Sequence, residues 1–315
     1  MDLYQIALVI ITFGAAIVNG ALGYGFSSIT VPLALLFLTN RVLNPALVPI
    51  EVALNAYVLW VNREALPSVW RRVLPIVVGL LPGVLIGTAL VSRVNPGWLK
   101  FVTFVSLLPL ILLQAAGFRR PIRSERSVGL AFGGGVGLLY SVTTISGPPL
   151  AVMLSNQGLT KRDFRAALGF IRLAESSFTA VAYAYAGLYS TASLALIPFI
   201  LPGILIGVPI GAMLIQRIRP ETFRRICMSF DAWIVGFGLS TLIKDLQIVD
   251  SNLAFLVLAA VGLIDTLLLY RFFTVQLPEF KRMDALTSSP TSDTGRPPLP
   301  PASKANRRAR ASEAG

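Results

Sequence analysis

Apolar residues run in blocks of about 20 along most of this chain, the length a bilayer-crossing helix requires. The blocks fall at 3–22, 42–61, 70–91, 98–116, 127–142, 164–187, 191–215, 222–243 and 251–273. Two more, 26–39 and 147–156, are short for a full crossing. Each follows a Gly- or Thr/Ser-rich break and carries proline near its start. The pattern predicts an all-α polytopic membrane protein in which 3–39 and 127–156 are hairpins with a partial or broken second arm. Pro75 and Pro82, and Pro198, Pro202 and Pro209, predict kinks in the helices that hold them.

The pattern also repeats. Leu81-Pro-Gly-Val-Leu-Ile-Gly87 returns as Leu201-Pro-Gly-Ile-Leu-Ile-Gly207, a shift of about 120 positions of the kind that marks a duplicated unit. Pro32-Leu33-Ala34 returns as Pro149-Leu150-Ala151 at a slightly smaller shift. Basic residues then orient the copies. Arg119, Arg120, Arg123 and Arg126 form one cluster, and Arg63, Arg71 and Arg72 another. Lys161, Arg162 and Arg165, then Arg217, Arg219, Arg224 and Arg225, form two more, and Lys281 and Arg282 follow the last helix. Placing them in the cytoplasm puts the N-terminus outside and the C-terminus inside, with Arg41, Arg93 and Lys100 as minor exceptions. The two copies then run in opposite directions, the inverted-repeat plan of many secondary transporters. The expected organisation is a first repeat at 1–118, a basic connector at 119–126, a second repeat at 127–245, an added helix at 246–274 and a tail at 275–315. That tail is Pro-rich and basic, and is expected to be mostly disordered, with its end near anionic lipid.

Composition agrees. Of 315 residues, 55% are hydrophobic and 13% charged, against about 25% charged in soluble domains. The net charge of +12 sits in loops and tail, as topology determinants do, so it argues against nucleic-acid binding. There is no His, and Cys227 is the single Cys. Histidine bases, thiolate metal sites and intrachain disulfides are therefore excluded, and no cofactor or metal is expected. Cys227 reads as a packing residue. The start of the chain lacks the basic region of a signal peptide, so the first apolar block is expected to be retained. Trp60, Trp70, Trp98 and Trp233 read as interface anchors.

The chemistry is expected at the two breaks. Asn19-Gly20-Ala21-Leu22-Gly23-Tyr24-Gly25-Phe26-Ser27-Ser28 would interrupt a helix and expose the N-terminus of the next, with Ser27 and Ser28 as caps. Its counterpart runs through Thr143, Thr144, Ser146 and Gly147, with Ser146 as cap and Pro148 and Pro149 in the first turn. Free N–H groups and a partial positive charge at each helix start suit an anion. For Gly133, Gly134 and Gly135, helix packing is the better reading. Ionisable residues inside apolar helices are functional suspects. Glu51 lies midway along its helix, with Asn55 one turn on. Arg172 and Glu175 are spaced to pair with each other, and Asn55 matches Glu175 under the longer shift. Arg172 is the candidate anion ligand, with Asn19, Gly23 and Gly25 at the first break. Glu51, Glu175 and Asp231 are candidate proton-coupling groups, and Asp265 is assigned a structural role. An internal Arg172–Glu175 salt bridge that only locks the fold is the competing reading.

Asn19-Gly20 through Thr30-Val31-Pro32, Ser146-Gly147-Pro148-Pro149-Leu150, Arg165-Ala166-Ala167 and the Leu-Pro-Gly echo together resemble the TauE/SafE family of membrane anion permeases, over roughly residues 5–270. The resemblance implies movement of sulfite, a sulfonate or a related organic acid across the bacterial inner membrane, with Gly23, Gly25, Pro32, Gly147 and Pro149 in the two hairpins. Tyr24, Phe26 and Thr143 to Ser146 depart from a more Gly-rich pattern at the expected solute site, which leaves room for a larger or less polar anion. The expected partners are a small anion and the lipid bilayer, with a homodimer left open. A passive anion channel is the alternative, and a membrane enzyme, assembly factor or scaffold fits less well.

Overall fold

The computed structural model describes residues 3–116, 125–155, 159–215, 217, 220–249 and 252–278. The connector arginines Arg119, Arg120 and Arg123, and the tail beyond 278, lie outside the described residues. The described residues are mostly helical, with no strand among them. In chain order the helices are α1 (Leu3–Leu22), α2 (Phe26–Ala34), α3 (Asn40–Val61), α4 (Leu66–Arg93), α5 (Pro96–Ala115), α6 (Glu125–Thr143) and α7 (Gly147–Ser155). They continue with α8 (Lys161–Tyr185), the single turn α9 (Thr191–Leu194), α10 (Ile197–Leu214), α11 (Pro220–Asp245) and α12 (Leu256–Arg271). Seven of them are long and apolar enough to cross a membrane. The broken second arms of both hairpins are present as the nine-residue helices α2 and α7. The block at 191–215 divides into α9 and α10, with Pro198 in the first turn of α10. α4 runs unbroken past Pro75 and Pro82. Contacts separate residues 1–270 from 271–315; the second unit carries one wide helical turn, Phe272–Gln276.

Within the first unit the pairing of helices follows from small residues. α4 lies along α6 and α1 along α10. A Cβ on Gly83 of α4 would sit 2.0 Å from the Gly134 carbonyl oxygen, and one on Gly211 of α10 would sit 1.9 Å from that of Ile17. Only glycine permits backbones that close. The Leu-Pro-Gly echo is therefore a packing device in both copies. Gly79, Gly83 and Gly87 meet Leu130, Gly134 and Ser141 in rising order, so α4 and α6 point the same way. Gly203, Gly207 and Gly211 meet Phe13, Ala16 and Ile17, so α1 and α10 do too. Gly169 of α8 meets Val58 and Leu59 near the end of α3, while Arg172 meets Glu51 further back; these two helices run antiparallel. So do α5 and α11, through Gly97 with Leu246 and Phe104 with Gly238.

Two large apolar cores result, with two small clusters beside them. One joins α1, α2, α3, α5, α10 and α11 around Phe26, Leu43, Leu107 and Ala232. The other joins α4, α6, α7 and α8 around Leu80, Leu150 and Ile171. Two of the exceptional cations have structural employment. Arg41 donates to the carbonyls of Val91, Ser92 and Val94 at the end of α4, and Lys100 to that of Leu35 just past α2. The negative ends of these helices attract cations wherever they lie in the membrane. Arg225, counted among the cytoplasmic markers, is buried instead. It donates to Asp265 at 2.8 Å and to Ser229 at 2.9 Å. Trp233 donates to the same carboxylate at 3.2 Å, so its indole fastens α11 to α12 as well as sitting partly at the surface.

Candidate functional site

Both hairpins stop by the same device. Gly23, at φ 81°, donates its N–H to Asn19 at 2.7 Å and ends α1. Thr144, at φ 55°, donates its N–H to Tyr140 at 2.5 Å and ends α6. A left-handed residue just past a helix frees the chain to leave it. Glycine does this without strain, whereas a β-branched residue there costs about 1–2 kcal/mol. Such strain persists where neighbours over-determine the backbone. Here Asn40 and Asn44 of α3 donate to the Val142 carbonyl at 3.3 and 2.7 Å, and Tyr183 of α8 donates to that of Ser141. Thr143 adds an N–H acceptor for Ile145 at 3.0 Å. Sequence reasoning missed these three supporting residues, although Asn40 and Asn44, one turn apart in an apolar block, carried the signal.

The two breaks touch. A Cβ on Gly147 would lie 3.2 Å from the Tyr24 ring. The capping scheme differs from expectation. Gly25, at φ 111°, holds the cap position of α2 and offers no side-chain bond. Ser27 and Ser28 lie inside the first turn instead. The Ser27 hydroxyl is drawn away to Glu51, and that of Ser146, which does precede α7, to Glu175. At both breaks the hydroxyl donates to a carboxylate on the next long helix.

Those bonds build a buried charged cluster. Glu51 accepts from Ser27 and from Arg172, at 3.2 Å, on one oxygen, and from Tyr140, at 2.7 Å, on the other. Glu51 is 0% exposed and Arg172 5%. Arg172 thus forms its ion pair across helices with Glu51, not along α8 with Glu175. Among the described residues Glu175 accepts from Ser146 alone, and its second oxygen has no hydrogen-bond partner; nor has Nε of Arg172. Asn55 donates to the Arg172 carbonyl at 3.4 Å. A buried charge without full compensation is costly, so the spare oxygen and spare N–H are sites where a proton or an oxyanion is favoured.

Helix starts give an internal spacing of their own. Thr39 and Thr160 both precede their helices in extended conformation, and Gly23 and Thr144 are both left-handed at their breaks. The shift they share is that between Glu51 and Arg172, 121 positions. At that spacing Glu51 falls opposite Arg172 and Asn55 opposite Ser176. The Pro32 and Pro149 echo is out of register, one mid-helix and the other in a first turn. Asp231 is buried on α11 with one oxygen unpartnered, and no hydrogen bond or ion pair among the described residues joins it to the cluster. Asn19 is buried at the end of α1 with its side-chain oxygen unpartnered.

Residues 8–239 match the family described as "Sulfite exporter TauE/SafE". A relative from Cupriavidus necator, described as a probable sulfite/organosulfonate exporter, is 25% identical over 184 residues, which cover 55% of this chain and 68% of that protein. No solved structure gives a significant match.

Proposed function

The chain belongs to the sulfite exporter TauE/SafE family and is a multi-pass membrane transporter, and from that premise we propose that it moves sulfite, a sulfonate or a related small organic acid across the bacterial inner membrane as a secondary carrier. The observation that carries the reading is the buried Arg172–Glu51 pair beside two touching helix breaks, with an N–H of Arg172 left to give. An oxyanion would take donors from Arg172 and from the hydroxyls of Ser27, Ser28, Thr144 and Ser146. Glu175, whose second oxygen lacks a partner, would carry the coupling proton. Protonation would release Ser146 toward the anion; loss of the proton would draw it back.

The carrier reading also includes two inverted copies, with the N-terminus outside and the C-terminus in the cytoplasm. Antiparallel α3 and α8, and antiparallel α5 and α11, support the inversion. The test is a flux panel in proteoliposomes with sulfite, sulfoacetate, taurine and simple carboxylates at several pH values. Saturable anion flux that responds to an imposed proton gradient is expected. Flux that is saturable by none of these solutes rejects the carrier, and conductance indifferent to the proton gradient selects the channel.

A further inference from the structure

Two clefts open along the bundle, and their walls match in position. The first, about 600 Å³, lies between α3 and α10 and is walled by Leu201, Ile204 and Leu205 with Tyr57 and Val61. The second, about 570 Å³, lies between α4 and α8. Its walls are Leu81, Val84 and Leu85, the same places in the Leu-Pro-Gly echo, with Phe178 and Ala182. Those last two correspond to Tyr57 and Val61 under the shift that relates Glu51 to Arg172. The first cleft ends at the α3–α4 turn and the start of α8, by Asn62 and Arg165. The second ends at the far tips of α4 and α8, by Arg93 and Ala186. Because α4 and α8 both run away from the Arg165 end, the mouths lie at opposite ends of the bundle.

The clefts differ in depth. α4 packs along α8, whereas α10 meets α3 at few positions. The α3–α10 cleft therefore continues inward to Asn19, Gly23, Ile50 and Leu54. The matching residues Tyr140, Thr144, Ile171 and Glu175 are absent from the walls of the α4–α8 cleft. Hydrogen bonding is unequal in the same sense. Tyr140 of α6 has closed onto Glu51. Its counterpart on α1 is Asn19, and the counterpart of Glu51 is Arg172. The Asn19 side-chain oxygen and the Arg172 Nε are both buried and both unpartnered. One acceptor and one donor are thus left over where the symmetric bond would form.

We infer that the α3–α10 cleft is the open access route to the anion site, that the α4–α8 cleft is the same route shut, and that the carrier exchanges faces by swinging the α1–α10 pair onto α3 so that Asn19 meets Arg172. The inference rests on the transport reading above. The glycine contacts make α1 with α10, and α4 with α6, units able to move as wholes. Exposed Arg165 at the rim favours an anion over a cation.

Cys227 is the single cysteine, so a Cys227→Ser background makes a thiol assay specific. Single cysteines replace Tyr57, Val61, Phe178 and Ala182 in turn. Proteoliposomes of each orientation are treated with a membrane-impermeant anionic methanethiosulfonate, with and without saturating sulfoacetate or a simple carboxylate. Tyr57→Cys and Val61→Cys are expected to react at least about tenfold faster than Phe178→Cys and Ala182→Cys, as a population weighted to one state requires. They should react from the Arg165 end only, and one of the two solutes should change the ratio. Adding Asn19→Leu should make Tyr57→Cys reactive whatever the solute. Equal rates on the two sides, or unequal rates that neither solute nor Asn19→Leu alters, overturn the inference. Either result can arise while wild-type flux is normal, so it is distinguishable from failure of the transport reading.

Discussion

Two arginines lie buried beside a carboxylate in this bundle, and their surroundings are not alike. Arg225 meets Asp265, whose oxygens also accept from Ser229 and Trp233. That carboxylate is saturated, and the cluster joins α11 to α12, which lies beyond the family-matched residues 8–239. Arg172 meets Glu51 between the two helix breaks, and the neighbouring Glu175 keeps an oxygen without a partner. Exposure does not separate the two, at 3% and 5%. Each arginine also keeps an unpartnered Nε. The difference is spare capacity on a carboxylate, together with position on the repeat. A buried charge marks a place where chemistry is affordable only if something is left for a solute or proton to satisfy.

The largest expected effect tests that contrast directly. Arg172→Gln should drop anion flux to background, and Arg172→Gln with Glu51→Gln should regain stability without regaining flux. At the other cluster, Arg225→Gln should cost about 3–5 kcal/mol by stranding Asp265, and Arg225→Gln with Asp265→Asn should restore both stability and flux. Thermal unfolding in detergent and proteoliposome flux read the two quantities separately. If the second double variant also loses flux while folding normally, the clusters are not different in kind. Next in size, Glu175→Gln should keep flux down a solute gradient but lose its response to an imposed pH gradient. A retained response would move the proton to Glu51 or Asp231. The smallest effect concerns the two breaks. Thr144→Gly should stabilise the fold by up to about 1 kcal/mol by relieving the left-handed backbone, whereas Gly23→Thr should destabilise it by a similar amount.

Much of this was legible before any coordinates. The blocks at 3–22 and 42–61 match α1 and α3 closely, and the short blocks after the two breaks are α2 and α7. Burial of Glu51, Arg172 and Glu175 followed from their place in apolar segments. Their partners did not. Spacing along α8 proposed Arg172 with Glu175, because neighbours a turn apart are visible in one dimension. The geometry instead paired Arg172 with a residue 121 positions away. Serines after a glycine break read as caps, and nothing in the local sequence announces a carboxylate on another helix that accepts from their hydroxyls.

Sequence alone determined that the chain crosses a membrane and that Glu51, Arg172 and Glu175 would be buried, and it led to the expectation of a repeated unit. Those conclusions need only transfer free energies and local periodicity, which each segment carries within itself. Tertiary structure decided which copy's cleft is deep, which carboxylate is saturated, and that Glu51 faces Arg172 across the repeat. These depend on how helices approach one another, and so on glycine contacts and hydrogen bonds between residues far apart in the chain.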